Sequence, residues 1–294
     1  MTFKKKVQRN FNKQLPMKIY NSLIEKNFKF FEKYLKIHIT PVHFYSPIPI
    51  VHKLNERIYE KEISTNGIDW NIDTQKRYLS KIFIKYLSEF APTKNSGLSL
   101  VDAFILYAMV REKKPRKMIE IGSGISTLIT LLALAKNKEE GFLCKFTAIE
   151  PYPIKDIVDS KDEGFELLEK IVQDVPVSFF TDADILFIDS THVSKIDSDV
   201  NYEMLEIVPS LKDGALIHWH DILIPQNYWK NWIESGNQFW NESYMLHTFL
   251  LFNNKFKIQW ASRYMHLKFR ELIKEQFAYF ESNHRITSFW VLKE

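Results

Sequence analysis

From Lys117 onward the sequence alternates short apolar strands with helical segments, and this alternation restricts the fold more than any other feature. Helical patterns at 126–135 and 200–208 separate runs rich in isoleucine, leucine and phenylalanine. The clear strands are Met118–Ile121, Lys145–Ile149, Ile185–Ile188 and Ala215–Trp219. Because strands that alternate with helices pair in parallel, the sequence predicts an α/β fold with helices on both faces of a mostly parallel sheet.

The other predicted elements are less regular. A helical pattern runs over Phe165–Val172, and a weak strand follows around Val175–Phe180, interrupted by Pro176. Two late strands are predicted at Lys255–Trp260 and Ser288–Leu292. Two helices are predicted upstream, at Asp73–Phe90 and Asp102–Glu112.

The first residues differ in composition from the rest. Residues 1–36 carry ten lysines and arginines but only two glutamates, with apolar residues at roughly helical spacing. We expect this basic segment to pack on or beside the main domain, and a membrane-surface helix is the alternative. Three prolines in residues 40–51 predict an irregular connector. The predicted organisation is therefore a helical extension and connector over residues 1–95 and one domain over residues 96–294.

Composition excludes several classes of protein. The 40 basic and 36 acidic residues give a net charge of +4, too balanced for a nucleic-acid partner. The single cysteine, Cys144, allows neither an internal disulfide nor a cysteine-based metal site. No apolar run reaches the roughly 18 residues of a transmembrane helix. The expectation is a cytoplasmic protein without a membrane span, and the sequence leaves a homo-oligomer open.

A glycine turn follows the first clear strand. Gly122 and Gly124 are two of only eight glycines, and they stand between a strand and a helix that Ser126 or Thr127 can cap. Glycines there let the backbone turn tightly and approach a ligand closely. The third glycine of the dinucleotide fingerprint is missing.

Two glutamates suggest which ligand binds at this turn. Glu150 closes the second strand, where a carboxylate can accept hydrogen bonds from both hydroxyls of a ribose. Glu120 precedes the glycines and would repel a pyrophosphate, whereas it suits a cationic ligand. S-adenosylmethionine has a ribose, a sulfonium cation and no phosphate. These residues therefore favour S-adenosylmethionine over a nicotinamide dinucleotide.

Four motifs together resemble the class I S-adenosylmethionine-dependent methyltransferases, in the branch of small-molecule and sugar O-methyltransferases related to macrocin and catechol O-methyltransferases. The motifs are Glu120-Ile-Gly-Ser-Gly, Ala148-Ile-Glu-Pro-Tyr-Pro, Ile188-Asp-Ser-Thr-His and Ile217-His-Trp-His-Asp. The resemblance implies a Rossmann-like, doubly wound sheet of seven strands with a reversed last strand. It also implies a cofactor site made by Glu120, Gly122, Ser123, Gly124, Ser126 and Glu150.

Polar residues at the ends of two neighbouring strands predict the reacting centre. Asp189 and Asp221 each follow an apolar strand, so both open into the same crevice. His192 lies on the loop over that crevice and is the candidate base for removing a hydroxyl proton, with a titration expected near 6.5. The resemblance to metal-dependent relatives offers Asp189, His220 and Asp221 as metal ligands instead. Because His220 departs from the usual Asp-Asp or Asp-Asn pattern, the sequence leaves a divalent metal open.

The predicted activity is methyl transfer from S-adenosylmethionine to a hydroxyl of a small molecule, with a sugar as one acceptor class. An aromatic-rich segment after the crevice can stack on such an acceptor or pack as a lid. Its members are Trp229, Trp232, Trp240 and Tyr244. The alternatives are a non-catalytic scaffold that keeps the fold and, with the missing glycine against it, an NAD-dependent oxidoreductase.

Overall fold

The computed structural model describes residue 22 and residues 27–91, 97–160, 162–277 and 285–294. These divide between two compact units, Met1–Asn55 and Glu56–Glu294. Most of the predicted basic segment, residues 1–36, lies outside the described residues. In the smaller unit the described elements are a helical turn at Phe28–Phe30, a π-helix at Phe31–Leu35 and a 3₁₀ turn at Val51–Lys53.

The larger unit is built on one seven-stranded sheet. Its strands are β1 Lys117–Ile121, β2 Lys145–Ile149, β3 Phe165–Leu168, β4 Ile185–Ile188, β5 Leu216–Trp219, β6 Phe256–Ala261 and β7 Phe289–Lys293. The strand order is β3-β2-β1-β4-β5-β7-β6. The first five strands pair in parallel, while β7 runs antiparallel to both β5 and β6. This confirms the predicted doubly wound α/β sheet and its reversed last strand.

The apolar strands form the buried centre of this sheet. All residues of β4 and β5 are buried, as is β1 after Lys117. Strands buried on both faces read as continuous apolar runs, which is why the sequence identified them so clearly. Because β1 and β4 are neighbours in the sheet but not in sequence, their carboxyl ends open a crevice at a topological switch point.

Helices cover the two faces of the sheet. The α-helices of the larger unit are Arg57–Glu60, Ile72–Arg77, Leu100–Lys113, Ile125–Glu139, Lys155–Val158, Asp199–Tyr202, Val208–Ser210, Lys230–Glu234, Glu242–Leu250, Ser262–Lys268 and Arg270–Gln276. Segments of π-helix lie at Tyr78–Ile82 and Glu203–Ile207, and 3₁₀ turns at Phe83–Tyr86, Val172–Asp174 and Val177–Phe179. In the part of the chain that the structure describes, no helix is long and apolar enough to cross a membrane.

Two predicted elements between β2 and β4 are wrong. The segment predicted as a helix at Phe165–Val172 begins instead with the edge strand β3, which pairs with β2. The segment predicted as a weak strand around Val175–Phe180 contains a 3₁₀ turn at Val177–Phe179 instead, and a second 3₁₀ turn precedes it at Val172–Asp174. The strand around Pro176 does not form because proline has no N–H to donate to a strand ladder. The segment Phe165–Leu168 is a strand because pairing with β2 outweighs the helical propensity of its glutamate and leucines.

The larger unit begins well before residue 96. Trp70 stacks on Tyr264 with ring centroids 3.7 Å apart, and Phe83 meets the edge of Trp260 at 5.0 Å. The buried side chain of Gln75 accepts a hydrogen bond from the backbone N–H of Ala261, next to the end of β6. These contacts anchor residues 56–91 to the main core. The predicted boundary between residues 95 and 96 stays a prediction, and the division in the structure falls earlier, at Glu56.

Candidate active site

A cavity of 450 Å³ opens at the carboxyl ends of β1, β2 and β4. Gly122, Glu150 and Asp189, which follow these three strands, all line it. Thr191, on the loop after β4, and Asp199, at the start of the helix Asp199–Tyr202, also line it. The topology thus brings together residues of three separate sequence motifs, as the parallel sheet requires.

The two glycines of the turn have different environments. Gly122 has φ +93°, and a Cβ placed there would lie 2.3 Å from the carbonyl oxygen of Asp189. The protein itself therefore requires glycine at this position. At Gly124 the backbone is extended, and a Cβ would meet no protein atom within 4 Å. The open space beside Gly124 is available for close approach of a ligand.

Glu120 lies fully buried beneath this turn. One carboxylate oxygen accepts a hydrogen bond from Ser126 Oγ at 2.5 Å, and the other, Oε2, has no partner. Burial raises the pKa of Glu120 to about 8, although hydrogen bonds from Ser126 and Thr127 lower it in part. The hydroxyl of Ser123 is also buried without a partner. These orphaned polar atoms fit a ligand that presents donors and positive charge, as S-adenosylmethionine does.

Glu150 follows the last residue of β2, and one of its carboxylate oxygens accepts a hydrogen bond from the adjacent backbone. The backbone N–H of Tyr152 donates to its Oε1 at 2.8 Å, which fixes the direction of the carboxylate. The residue is half-buried and lines the same cavity as Gly122. Its position and orientation fit the ribose-binding role that the sequence predicts for it.

His192 and three carboxylates meet at the neighbouring end of the crevice. The ring nitrogen Nε2 of His192 lies 3.4 Å from Asp189 Oδ1 and 3.7 Å from Asp221 Oδ2. On the other side of the ring, Nδ1 lies 2.7 Å from Oε2 of the buried Glu242. The structure therefore brings together Asp189, His192 and Asp221 as the sequence predicts, and adds Glu242, which sequence reasoning missed.

The backbone holds His192 in an unusual conformation. Its φ of +59° is rare for a residue other than glycine, and Asp221 has φ +54°. The carbonyl oxygen of His192 accepts hydrogen bonds from the N–H groups of Asn241 and Glu242, at the start of the helix Glu242–Leu250. Non-glycine residues at positive φ persist only where their surroundings over-determine them, and they concentrate at functional sites. The same helix start thus fixes both the backbone and the imidazole of His192.

The neighbouring carboxylates Asp189 and Glu242 keep His192 charged. Burial alone would lower the pKa of His192, but hydrogen bonding with Asp189 and Glu242 outweighs it and raises the pKa well above the ordinary value. Burial opposes ionisation of Asp189, yet the nearby His220 and His192 outweigh burial and lower the pKa of this carboxyl. At neutral pH the site therefore holds an imidazolium next to an ionised aspartate.

A second buried acid, Glu203, lies behind this cluster. Its Oε2 accepts a hydrogen bond from Ser190 Oγ at 3.1 Å, while Oε1 has no partner. Burial and the negative charge of Glu242 raise the pKa of Glu203 well above its ordinary value. Below pH 4.5, the ordinary pKa of this carboxyl in the unfolded chain, the contribution of Glu203 to stability is fully present. As the pH rises toward the raised pKa of the folded state, that contribution is lost.

Replacing Glu203 with glutamine is therefore expected to stabilise the protein at alkaline pH. The gain in free energy of unfolding should be larger at pH 8 than at pH 5, because at pH 8 the unfolded chain ionises this carboxyl while burial disfavours its charge in the folded protein. Denaturant unfolding at both pH values measures this difference. Glu206→Gln, an exposed neighbour in the same π-helix, is the matched control. Equal stability of Glu203→Gln and the parent at pH 8 would contradict the buried, protonated state.

The predicted metal ligands do not form a metal site. His220 Nε2 lies 3.6 Å from Asp221 Oδ1 and 3.5 Å from the hydroxyl of Thr287. Within the described ranges, no group of three or more histidine, cysteine, aspartate and glutamate side chains has an arrangement that could hold a metal ion. Asp189, His220 and Asp221 thus lie near one another without the arrangement that a metal ion requires.

The residues that the sequence missed are distant in the chain from those they contact. Glu242 lies 50 residues after His192, and its only local signal is an acidic position at the start of a helix. In the sequence, nothing distinguishes Glu203 from the other acidic residues of an amphipathic helix. Trp240, predicted as part of the aromatic-rich segment, packs against His192 with ring centroids 4.5 Å apart.

Comparison with known proteins finds similarity over this same region. A family model described as a methyltransferase domain matches residues 119–222. An uncharacterized protein of Archaeoglobus fulgidus is 32% identical over 164 residues, which cover 48% of this chain and 71% of that protein.

Solved structures are similar at lower identity. A methyltransferase of Podospora anserina bound to S-adenosylhomocysteine is 13% identical, with a TM-score of 0.46 over 76% of this chain and 95% of its own. An O-methyltransferase of Bacillus cereus in complex with S-adenosylhomocysteine is 10% identical, with a TM-score of 0.43 over 76% and 98% of the two chains.

Proposed function

Because the chain belongs to the class I S-adenosylmethionine-dependent methyltransferases, we propose that it transfers a methyl group to a hydroxyl of a small molecule. The cofactor of this family is S-adenosylmethionine, which supplies an electrophilic methyl group on a sulfonium. The finer parts of the proposal are the oxygen acceptor, with a sugar as one acceptor class, and the roles of individual residues.

Three elements of the crevice would hold the cofactor. Glu150 would accept hydrogen bonds from the ribose, and the open space at Gly124 would admit the methionine part. Glu120, with its orphaned oxygen and raised pKa, would lose its proton when a cation binds nearby. Ser123 and Ser126 complete the polar floor. A pyrophosphate would meet the buried carboxylate of Glu120, which argues against a dinucleotide cofactor.

His192 is the proposed base. Once His192 has lost its resting proton to solvent, the acceptor hydroxyl would give its proton to His192 Nε2, while the hydroxyl oxygen would bond to the methyl carbon as the sulfur–carbon bond breaks. Glu242 on Nδ1 orients the ring and stabilises the imidazolium that forms. Asp189 and Asp221, both beside Nε2, would position the methyl acceptor by accepting hydrogen bonds from its other donor groups. Asp189 is thus assigned to catalysis together with His192.

The proposal rests on the surroundings of the His192 imidazole, which lies next to the cavity at Gly122. The buried Glu242 contacts its Nδ1, and Asp189 and Asp221, at two strand ends, lie beside its Nε2. A non-catalytic scaffold has no use for a buried charged cluster at a strained backbone position, because desolvated charges cost stability. The test is release of S-adenosylhomocysteine on incubation with S-adenosylmethionine and a panel of hydroxylated small molecules, with and without EDTA. Turnover of amines or thiols but of no hydroxyl compound would overturn oxygen methylation.

Cofactor binding gives a separate prediction. Glu150→Ala is expected to weaken S-adenosylhomocysteine binding by about 1.5–3 kcal/mol, since hydrogen bonds to a charged group are lost. Calorimetric titration measures the change. Glu166→Ala, on the adjacent strand β3 and exposed, is the matched control and should bind as the parent does. If the unmodified protein shows no binding at millimolar ligand, the cofactor assignment is overturned.

A further inference from the structure

Two arginines lie at the same edge of the sheet as the proposed reacting centre. Arg263 follows β6 in the helix Ser262–Lys268, and Arg285 precedes β7. Because β7 is antiparallel to β5 and to β6, the end of β6 and the start of β7 lie at the edge where β5 ends. The two guanidinium groups are therefore on the side of Asp221, across the crevice from Glu150.

Both arginines converge on one indole ring. Arg285 lies over Trp229 at 5.1 Å from the ring centroid, and Arg263 at 5.8 Å. Arg263 also donates from Nε to the amide oxygen of Gln226 at 2.9 Å. Two like charges around one ring repel each other, so this arrangement costs free energy unless negative charge is placed near them.

No carboxylate compensates these charges in the described ranges of the chain. Glu62, which contacts the helix of Arg263, pairs with Lys268, and Glu271, just after this helix, pairs with Lys274. Burial lowers the pKa of Arg263, as expected for a guanidinium removed from water without a counterion. An anionic group of a bound molecule would supply the missing negative charge in the fork geometry that arginine prefers.

A continuous row of aromatic rings joins the arginines to His192. Trp229 meets Trp232 edge-on at 4.6 Å, Trp232 meets Trp240 at 4.9 Å, and Trp240 lies against His192. All three indoles are half-buried, so each keeps part of its surface open. Such a surface binds the flat face of a ring, aromatic or sugar.

We propose that Arg263, Arg285 and Trp229 form an anion-binding subsite of the acceptor pocket, so that the acceptor is a hydroxylated ring compound carrying a carboxylate or phosphate group. The ring stacks along Trp232 and Trp240, the anionic group is held by the two guanidinium groups, and the hydroxyl is presented to His192. This inference rests on the proposed function and adds the chemical class of its acceptor.

The test is ligand-observed NMR titration of the protein saturated with S-adenosylhomocysteine. The probes are 4-hydroxybenzoate and phenyl phosphate, with 4-hydroxybenzyl alcohol and phenol as their neutral counterparts. Each anionic probe is expected to bind roughly tenfold more tightly than its counterpart, as one charge-assisted contact would give. The double variant Arg263→Gln/Arg285→Gln should lose this preference. Arg116→Gln, an exposed arginine before β1 at the opposite edge of the sheet, should keep it.

Three results would overturn the inference while leaving the proposed function intact. They are equal binding of charged and neutral probes, an anion preference that survives in the double variant, and no binding of either anionic probe at about 20 mM, far weaker than specific recognition. Prior saturation with S-adenosylhomocysteine shows whether the cofactor site binds its ligand before the acceptor subsite is tested. If the unmodified protein does not bind S-adenosylhomocysteine, the proposed function fails and the inference fails with it.

Discussion

Replacing His192 with alanine is expected to lower the rate of methyl transfer by about 10²–10⁴, with little change in affinity for S-adenosylhomocysteine. The reason is that the acceptor proton loses its base while the cofactor cavity at Gly122 and Glu150 is untouched. Initial rates and calorimetry separate the two effects. His52→Ala, an exposed histidine of the smaller unit, is the matched control.

The pH dependence distinguishes a base from a structural histidine. Since the pKa of His192 is raised well above 6.5, the imidazole is charged at neutral pH and can accept a proton only after losing one. The rate should therefore rise with pH through a value above 6.5, higher than the titration expected from the sequence alone. Glu242→Gln removes one carboxylate that favours the imidazolium, so this titration should move to lower pH.

Two outcomes would contradict this role. Full activity in both His192→Ala and Asp189→Ala would place the reacting centre elsewhere in the crevice. A pH profile that Glu242→Gln leaves unchanged would mean that the rate does not depend on the titration of His192. Loss of turnover on addition of EDTA, with cofactor binding intact, would restore the metal mechanism that the described residues do not fit.

Replacing Gly122 with alanine is expected to lower the free energy of unfolding by about 2–5 kcal/mol. A left-handed backbone costs a non-glycine residue about 1–2 kcal/mol, and overpacking adds about 1–3 kcal/mol. Here the added Cβ would lie 2.3 Å from the carbonyl oxygen of Asp189, which is backbone and cannot rotate away. Denaturant unfolding followed by far-UV circular dichroism measures the change.

Gly124→Ala is the matched variant in the same turn. Its backbone is extended and a Cβ meets no protein atom, so its stability should stay within about 0.5 kcal/mol of the parent. Its affinity for S-adenosylhomocysteine should nevertheless fall, because the methyl group occupies space assigned to the cofactor. Equal destabilisation by both substitutions, or unchanged cofactor affinity in Gly124→Ala, would contradict this division between the two glycines.

Elements with a local signal could be predicted from the amino-acid sequence alone. The apolar runs of β1, β4 and β5 are buried on both faces, so their composition identified them without knowledge of their partners. The glycine turn and the acidic residues at strand ends were readable for the same reason, since parallel strands bring their carboxyl ends to one edge. These signals determined the fold class and the position of the crevice.

Elements and contacts that depend on distant partners could be identified only in the folded protein. Phe165–Leu168 is a strand because β2 offers it a free edge, although its own residues favour a helix. Glu242 orients His192 across 50 residues of sequence, and Arg263 and Arg285 meet at Trp229 because β6 and β7 end at the same edge. Long-range packing determines which side chains face each other and how burial shifts their pKa values, and no local periodicity encodes either.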